Sequence, residues 1–90
     1  MEKALWYLIA GSRGGENRAR IVRLLDERPR NANQLADDLD VDYNTVRHHL
    51  DKLTDHDVVE TGGDEYGKLY FLTDRFERNR ETFEEITQHL

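Results

Sequence analysis

The sequence predicts a mainly α-helical domain with one small β-hairpin, an α+β fold. Apolar residues recur every three or four positions in several stretches, which is the period of helices that bury one face. Two short runs of β-branched and aromatic residues flank a glycine-rich stretch, which is typical of a hairpin. Ninety residues suffice for one compact domain with a modest core, so residues 1–90 are treated as a single domain.

The first element is the apolar run from Ala4 to Ala10. It is shorter than a membrane span and leads into Gly-Ser-Arg rather than a cleavage site, so we expect neither a membrane anchor nor a signal peptide. In the GSRGG stretch that follows, Glu16 and Asn17 stand where a phosphate-binding Walker loop needs Lys and Ser or Thr. We therefore interpret this stretch as a connector between two helices.

A second amphipathic helix is predicted from residue 16 to about residue 28. Ala19, Val22 and Leu25 form its apolar stripe, and Pro29 ends it because proline cannot continue a helix. The arginines of this segment are expected to lie mostly on the opposite, solvated face.

Two short helices around a tight turn follow. Asn31 or Asn33 can cap the first, because an Asn side-chain oxygen accepts a hydrogen bond from the free backbone N–H groups at a helix start. The apolar period breaks at Asp40, and Asp42 is a good N-cap for a helix that begins at Tyr43. We place this helix-turn-helix at about residues 33–54, with its second helix at about 43–54.

Two strands are predicted at Val58–Thr61 and Leu69–Leu72, and the Gly62–Gly67 stretch between them has the composition of a turn. This hairpin occupies about residues 57–72. A last helix is predicted over about residues 74–90, starting from Thr73 or Asp74, with Glu77 as the capping-box partner of Asp74. Three helices, a hairpin and a final helix make the element order of a winged helix-turn-helix, in which the hairpin is the wing.

The stretch NANQLADDLDVDYNTVRHHLDKLTDHDVVE resembles the DNA-binding core of ArsR-like winged helix-turn-helix transcriptional regulators, particularly small archaeal ones. The resemblance implies a sequence-specific, double-stranded DNA-binding transcriptional regulator that acts as a homodimer and places the helix at 43–54 in the major groove. The family often has Gly in the turn where this chain has Asp40, but Asp tolerates the left-handed conformation, so we expect the turn to survive. The matching positions are Gln34, Leu35, Ala36, Leu39, Val41, Thr45, Val46, His49, Leu50 and Leu53.

The second helix of the motif carries the predicted base contacts. With Val46 in the core, helical geometry turns Asn44 and Arg47 outward. Asn suits adenine and Arg suits guanine, because each can make two parallel hydrogen bonds to its base. Tyr43 and Thr45 are expected to bind phosphate. The complete set of predicted DNA contacts is Arg13, Arg30, Asn33, Gln34, Tyr43, Asn44, Thr45, Arg47, His48 and Lys68.

The predicted wing is short of cations. Its tip holds Asp64-Glu65, with only Lys68 beside them. A wing ordinarily grips phosphates with Lys or Arg, so we expect Arg13, Arg18 or Arg30 to supply phosphate contacts in its place.

Charge is spread unevenly over a chain whose net charge is −6. Residues 13–30 carry six arginines against three acids, whereas residues 36–65 carry ten acids against two bases. Abundant Asp and Glu with scarce Lys is typical of proteins from salt-accumulating halophiles, whose carboxylate surfaces stay hydrated in concentrated salt. Because salt of about 1 M shortens the Debye length to about 3 Å, carboxylates remote from DNA would hardly repel it there.

The chain has no cysteine, which excludes disulfides and thiolate-bound metals and agrees with a cytoplasmic location. His48 and His49 are adjacent and so point to different helix faces, which disfavours a shared metal. We expect His49 to be a semi-buried packing residue. No arrangement of catalytic side chains has a plausible pocket in so small a chain, so neither enzymatic activity nor a cofactor is expected.

The terminal segments have more apolar surface than a three-helix core can cover, which favours a homodimer built from the N- and C-terminal helices. Packing of these segments on each other within one chain is the alternative. The acidic wing and central segment leave open a second function, that of a winged-helix protein–protein interaction module that does not bind DNA. The predicted dimer interface consists of Leu5, Trp6, Leu8, Ile9, Phe83, Ile86 and Leu90.

Overall fold

The computed structural model describes residues 1–63 and 68–90 and shows a winged helix-turn-helix, as predicted. Helix α1 continues directly into a π-helical segment, in which the Gly11 backbone N–H donates to the Trp6 carbonyl five residues earlier. No described helix is long and apolar enough to cross a membrane. The elements are α1 (Glu2–Leu5), the π-helical segment (Trp6–Ala10), α2 (Gly15–Glu27), α3 (Ala32–Leu39), α4 (Tyr43–Asp55), β1 (Val59–Gly62), β2 (Leu69–Leu72), α5 (Asp74–Glu77) and α6 (Arg80–Thr87).

The glycine-rich stretch connects the π-helical segment to α2, as expected. Gly14 has a φ of 83°, a left-handed conformation that glycine adopts without steric cost. A Cβ on Gly15 would lie 1.8 Å from the carbonyl oxygen of Ile9, so the backbones cross too closely for any side chain there. The connector therefore requires glycine at position 14 for its tight turn and at position 15 for the close crossing of the two backbones.

Local capping holds the helix-turn-helix in place. The Asn31 side chain accepts from the Gln34 backbone N–H at 2.8 Å, and the Gln34 side chain accepts from the Asn31 N–H at 2.9 Å. Asp40 ends α3 at φ 56° and ψ 48°, so the predicted left-handed turn is confirmed. The Asp42 carboxylate then accepts from the Asn44 N–H at 2.9 Å and starts α4.

The wing is an antiparallel hairpin whose register runs from Val59 opposite Leu72 to Gly62 opposite Leu69. Arg30, just before α3, adds a bridge to its other edge, because the Tyr70 N–H donates to the Arg30 carbonyl at 2.8 Å. The base of the wing is thereby tied to the start of the helix-turn-helix. Asp64 and Glu65, predicted at the wing tip, lie outside the described residues.

The C-terminal segment is two helices rather than the single helix predicted over 74–90. Asn79 interrupts it, because its backbone N–H donates to the Phe76 carbonyl in a tighter turn and its side chain donates to the Arg75 carbonyl at 2.9 Å. Thr73, not Asp74, caps α5, since its hydroxyl accepts from the Phe76 N–H at 3.0 Å.

Most of the predicted dimer interface is part of the chain's own core. Five of its seven residues are at most 2% exposed, since the N-terminal helix packs against α6. Phe83 also meets Phe76 edge to face, with ring centroids 5.5 Å apart. At these five positions the terminal segments pack on each other within one chain, which is the alternative to the dimer interface. They are Leu5, Leu8, Ile9, Phe83 and Ile86, whereas Trp6 and Leu90 are exposed.

Candidate nucleic-acid interface

Helix α4 separates an apolar side from a polar one. Val46, Leu50 and Leu53 have no exposed surface, so they anchor the helix over its whole length. The five residues of α4 predicted to contact DNA are all exposed, as a surface that meets a ligand requires. They are Tyr43, Asn44, Thr45, Arg47 and His48.

Arg47 is held by the residue one turn before it. Its Nη1 donates to the Tyr43 hydroxyl at 3.1 Å, and its guanidinium carbon lies 5.9 Å from the centre of the Tyr43 ring. The hydrogen bond to Tyr43 raises the pKa of Arg47 above its ordinary value, so the guanidinium stays charged. The pair reduces the rotamer freedom of an otherwise exposed side chain.

A cavity of about 310 Å³ lies where the first turns of α3 and α4 meet the wing. We call it the junction cavity. It brings together four predicted contacts, namely Asn33, Tyr43, Arg47 and Lys68, from three separate elements. None of the described residues that line it is acidic. They are Asn31, Ala32, Asn33, Tyr43, Arg47, Lys68 and Tyr70.

Arg30 does not belong to this surface, contrary to the prediction. Only 4% of it is exposed, and its Nη1 donates to the Leu24 carbonyl. Its Nε lies 3.1 Å from an Asp38 carboxylate oxygen, so the two groups form an ion pair. The Nε–H bond does not point at that oxygen, so this contact is not a hydrogen bond. A guanidinium so enclosed fastens α2 to α3 and has no free surface for a phosphate.

Arg18 is also buried, with 1% of it exposed, so the expectation that it lies on the solvated face of α2 is wrong. Its Nε donates to the Leu8 carbonyl at 2.7 Å, and its Nη2 donates to the Ser12 hydroxyl at 2.6 Å and the Arg13 carbonyl at 2.8 Å. Its Nη1 lies 3.1 Å from Nδ1 of His49, a residue expected to be semi-buried that is in fact buried. Arg18 thus joins the N-terminal segment and the connector to α4.

The remaining predicted contacts are dispersed. Arg13 is exposed on the connector but does not line the junction cavity. The Gln34 side-chain oxygen is engaged in the α3 cap, although the residue is exposed. In the part of the chain that the structure describes, no three His, Cys, Asp or Glu side chains cluster as metal ligands would.

The fold is shared with solved structures of transcriptional regulators. A MarR transcriptional regulator from Methanosarcina mazei Go1 matches with a TM-score of 0.73 and 21% identity, over 98% of this chain and 66% of that one. The adhesin competence repressor AdcR from Streptococcus pyogenes gives 0.69 and 19%, over 82% and 55%. A variant of ZitR from Lactococcus lactis gives 0.65 and 21%, over 83% and 61%. The chain therefore spans between about half and two thirds of the length of these structures.

No curated protein matches this chain. A family model described as a helix-turn-helix domain matches residues 16–62, which include all but the first residue of α2, the helix-turn-helix and strand β1. This match covers just over half of the sequence and coincides with the elements whose caps and core contacts are described above. The chain belongs to this helix-turn-helix domain family.

Proposed function

We propose that this protein is a sequence-specific, double-stranded DNA-binding transcriptional regulator that inserts α4 into the major groove. The observation that carries the proposal is the arrangement of α4, whose apolar side is fully buried while its N-terminal half presents five polar residues to solvent. A helix of this kind fits the major groove, where the N-terminal part of a recognition helix meets base edges.

Asn44 and His48 are the proposed base readers. They lie one turn apart on the exposed side of α4 and are not among the described residues that line the junction cavity. Asn can accept from and donate to adenine at once, which gives discrimination of about 1–3 kcal/mol against a wrong base. Thr45 beside them is proposed to bind phosphate.

The test is a binding assay with duplexes selected from a random library in about 1 M KCl, where screening is strong. Replacing both Asn44 and Arg47 by Ala should abolish the specific complex. A matched pair of substitutions, Gln88→Ala and Arg78→Ala, alters exposed residues of the C-terminal segment and should change nothing. Selection that yields no preferred duplex would favour the alternative, a winged-helix protein–protein interaction module.

We propose that the protein acts as a homodimer, with Trp6 and Leu90 at the contact. Trp6 is 40% exposed and Leu90 is 58% exposed, and the Trp6 ring lies 6.4 Å from that of His89. The exposed Trp6 therefore lies beside the C-terminal segment, in which Leu90 directly follows His89. Sedimentation at micromolar concentration in concentrated salt should give a dimer, and Trp6→Ser should give a monomer. A monomeric wild-type chain would refute this proposal.

We also propose that the protein works in concentrated salt, as its acidic composition predicts. Between about 0.1 M and about 1 M KCl, its free energy of unfolding should rise because repulsion between carboxylates is screened. Chemical denaturation at both salt concentrations measures this. The assignment to an ArsR-like, archaeal type and a cytoplasmic location stays a prediction from the sequence.

A further inference from the structure

We infer that the junction cavity is an anion site that takes one phosphate group of the DNA backbone, with Arg47 and Lys68 as its cationic ligands. The DNA source of the phosphate rests on the proposed function, whereas the affinity for phosphate does not. The inference also changes the role of Arg47, which becomes a phosphate ligand instead of the guanine reader that its residue type suggested.

The charge of the junction cavity selects an anion. Arg47 lines it from α4 and Lys68 from the position just before the wing strand β2, and no described lining residue is acidic. This local surplus of two positive charges contrasts with the net charge of −6 of the whole chain. Residues 36–65 carry ten acids against two bases, so the convergence of Arg47 and Lys68 distinguishes the cavity from its acidic surroundings.

Polar donors complete the cavity. Tyr43 accepts a hydrogen bond from Arg47, which leaves its own O–H proton free to donate to an anion oxygen. Ala32 and Asn33, in the first turn of α3, also line the cavity, and the backbone N–H groups and dipole of a helix start favour negative charge. A volume of about 310 Å³ is far more than a single water molecule needs, so a phosphate group fits with some hydration.

The position of Arg47 favours phosphate over a base. Its hydrogen bond and ring contact with Tyr43 keep the guanidinium among the lining of the junction cavity. Asn44 and His48 do not line this cavity and remain available to bases. A guanidinium that left the cavity to read guanine would give up the Tyr43 contacts, whereas a phosphate in the cavity preserves them. On α4, Arg47 therefore binds phosphate, whereas Asn44 and His48 contact bases.

The first experiment replaces single phosphates of the selected duplex by neutral methylphosphonates. In each bound half-site one replacement should weaken binding of the wild-type chain about tenfold, as loss of a charge-assisted contact would. For Arg47→Ala the same replacement should change affinity less than about twofold, because the partner of that phosphate is already missing. Arg47→Lys should restore part of the effect, and Arg78→Ala, an exposed arginine outside the cavity, should behave like wild type.

Salt dependence and sequence preference distinguish a phosphate ligand from a base reader. Removal of a phosphate ligand should reduce the slope of log affinity against log salt by about 1 and weaken all sequences equally. If Arg47→Ala instead relaxes the preference at one base pair and remains sensitive to every methylphosphonate, the inference is overturned and Arg47 is a base reader.

A second measurement separates this inference from the proposed function. Inorganic phosphate is titrated into the free, full-length chain at constant ionic strength, and backbone amide resonances of Asn33, Arg47 and Lys68 are followed by NMR. Saturable shifts that vanish in Arg47→Ala support the anion site even if no duplex is bound. Shifts that are linear in phosphate, or unchanged by Arg47→Ala, overturn it even if DNA binding is demonstrated.

Discussion

Arg18 on α2 lies with its Nη1 only 3.1 Å from Nδ1 of His49 on α4, and both side chains are buried. A guanidinium can only donate, so Nδ1 must accept and the imidazole must carry its proton on Nε2. His49 is thus held neutral on the buried side of α4, directly after the exposed His48 of the proposed reading surface. Because Arg18 also bonds Leu8 and Arg13, the orientation of α4 depends on the N-terminal segment.

Stability should fall as the pH drops below about 6.5. Burial, and then the nearby charge of Arg18, lower the pKa of His49 from its ordinary value of 6.5. The unfolded chain therefore binds a proton at a higher pH than the folded chain does, and the contribution of His49 to stability is complete above 6.5 and lost on acidification. Thermal denaturation of wild type and His49→Gln across this range should show a steeper decline for wild type. Parallel curves would contradict this prediction.

Arg18→Met should destabilise the protein by about 2–3 kcal/mol. The substitution keeps much of the side-chain volume but leaves the buried carbonyl of Leu8 and Nδ1 of His49 without a donor, and each unpaired buried group costs about 1–3 kcal/mol. Denaturation by urea measures the loss. The matched control is Arg20→Met on the same helix, an exposed arginine that should change stability by less than about 0.5 kcal/mol.

Arg80 should contribute to stability near neutral pH and little in acid. Its guanidinium makes two hydrogen bonds to Asp26, at 2.7 and 2.9 Å, and others to Glu77. The hydrogen bonds from Arg80 lower the pKa of Asp26, so the carboxylate favours the folded state above its unfolded pKa of about 4 and loses this advantage as pH falls further. After allowance for solvent screening, Arg80→Ala should cost about 1 kcal/mol at pH near 7.

This cost should shrink in concentrated salt, which screens the ion pair, and in acid below the lowered pKa of Asp26, where protonation removes the charge of that carboxylate. Arg78→Ala serves as the control, because Arg78 is exposed on the same segment. An effect of Arg80→Ala that is equal near neutral pH and in acid would show that packing of Arg80 over Phe76, at 5.6 Å from the ring centre, outweighs its ion pairs.

Gly15→Ala should be far more harmful than Gly11→Ala. The added methyl group at position 15 would meet the Ile9 carbonyl oxygen at 1.8 Å, whereas at position 11 its nearest neighbour is the Tyr7 Cα at 3.3 Å. Relief of the first clash must separate α2 from the π-helical segment, at a cost above about 3 kcal/mol. Thermal denaturation of the two variants makes the comparison, and similar melting temperatures would show that the close contact between Gly15 and Ile9 does not limit stability.

Local signals predicted the helix-turn-helix well. Asp40 in the turn, Asp42 as the cap of α4, and the stripe of Val46, Leu50 and Leu53 all have the roles expected. Each depends on contacts between residues close in sequence, for which residue type and spacing suffice. The break at Asn79 was missed because competition between its side chain and a helical backbone has no fixed outcome.

The buried arginines show where residue type misled. Arg18 stands four residues before Val22 and seven before Leu25, so its spacing already placed it on the apolar stripe. The prediction placed Arg18 on the solvated face because its side chain is charged, although its spacing indicated the buried face. Residue spacing did not show that the chain turns at the glycine-rich connector so that the carbonyls of Leu8 and Arg13 satisfy its donors.

By itself the sequence determined the fold class, the order of helices and hairpin, and the turn at Asp40, because these follow from periodicity and capping within a few residues. Only the tertiary structure decided that Leu5 and Phe83 belong to one chain's core, that Arg30 is enclosed, and that Arg47 meets Lys68 in one cavity. Those outcomes join segments distant in the chain. Burial and charge pairing between such segments depend on how the elements pack, which no single stretch of sequence specifies.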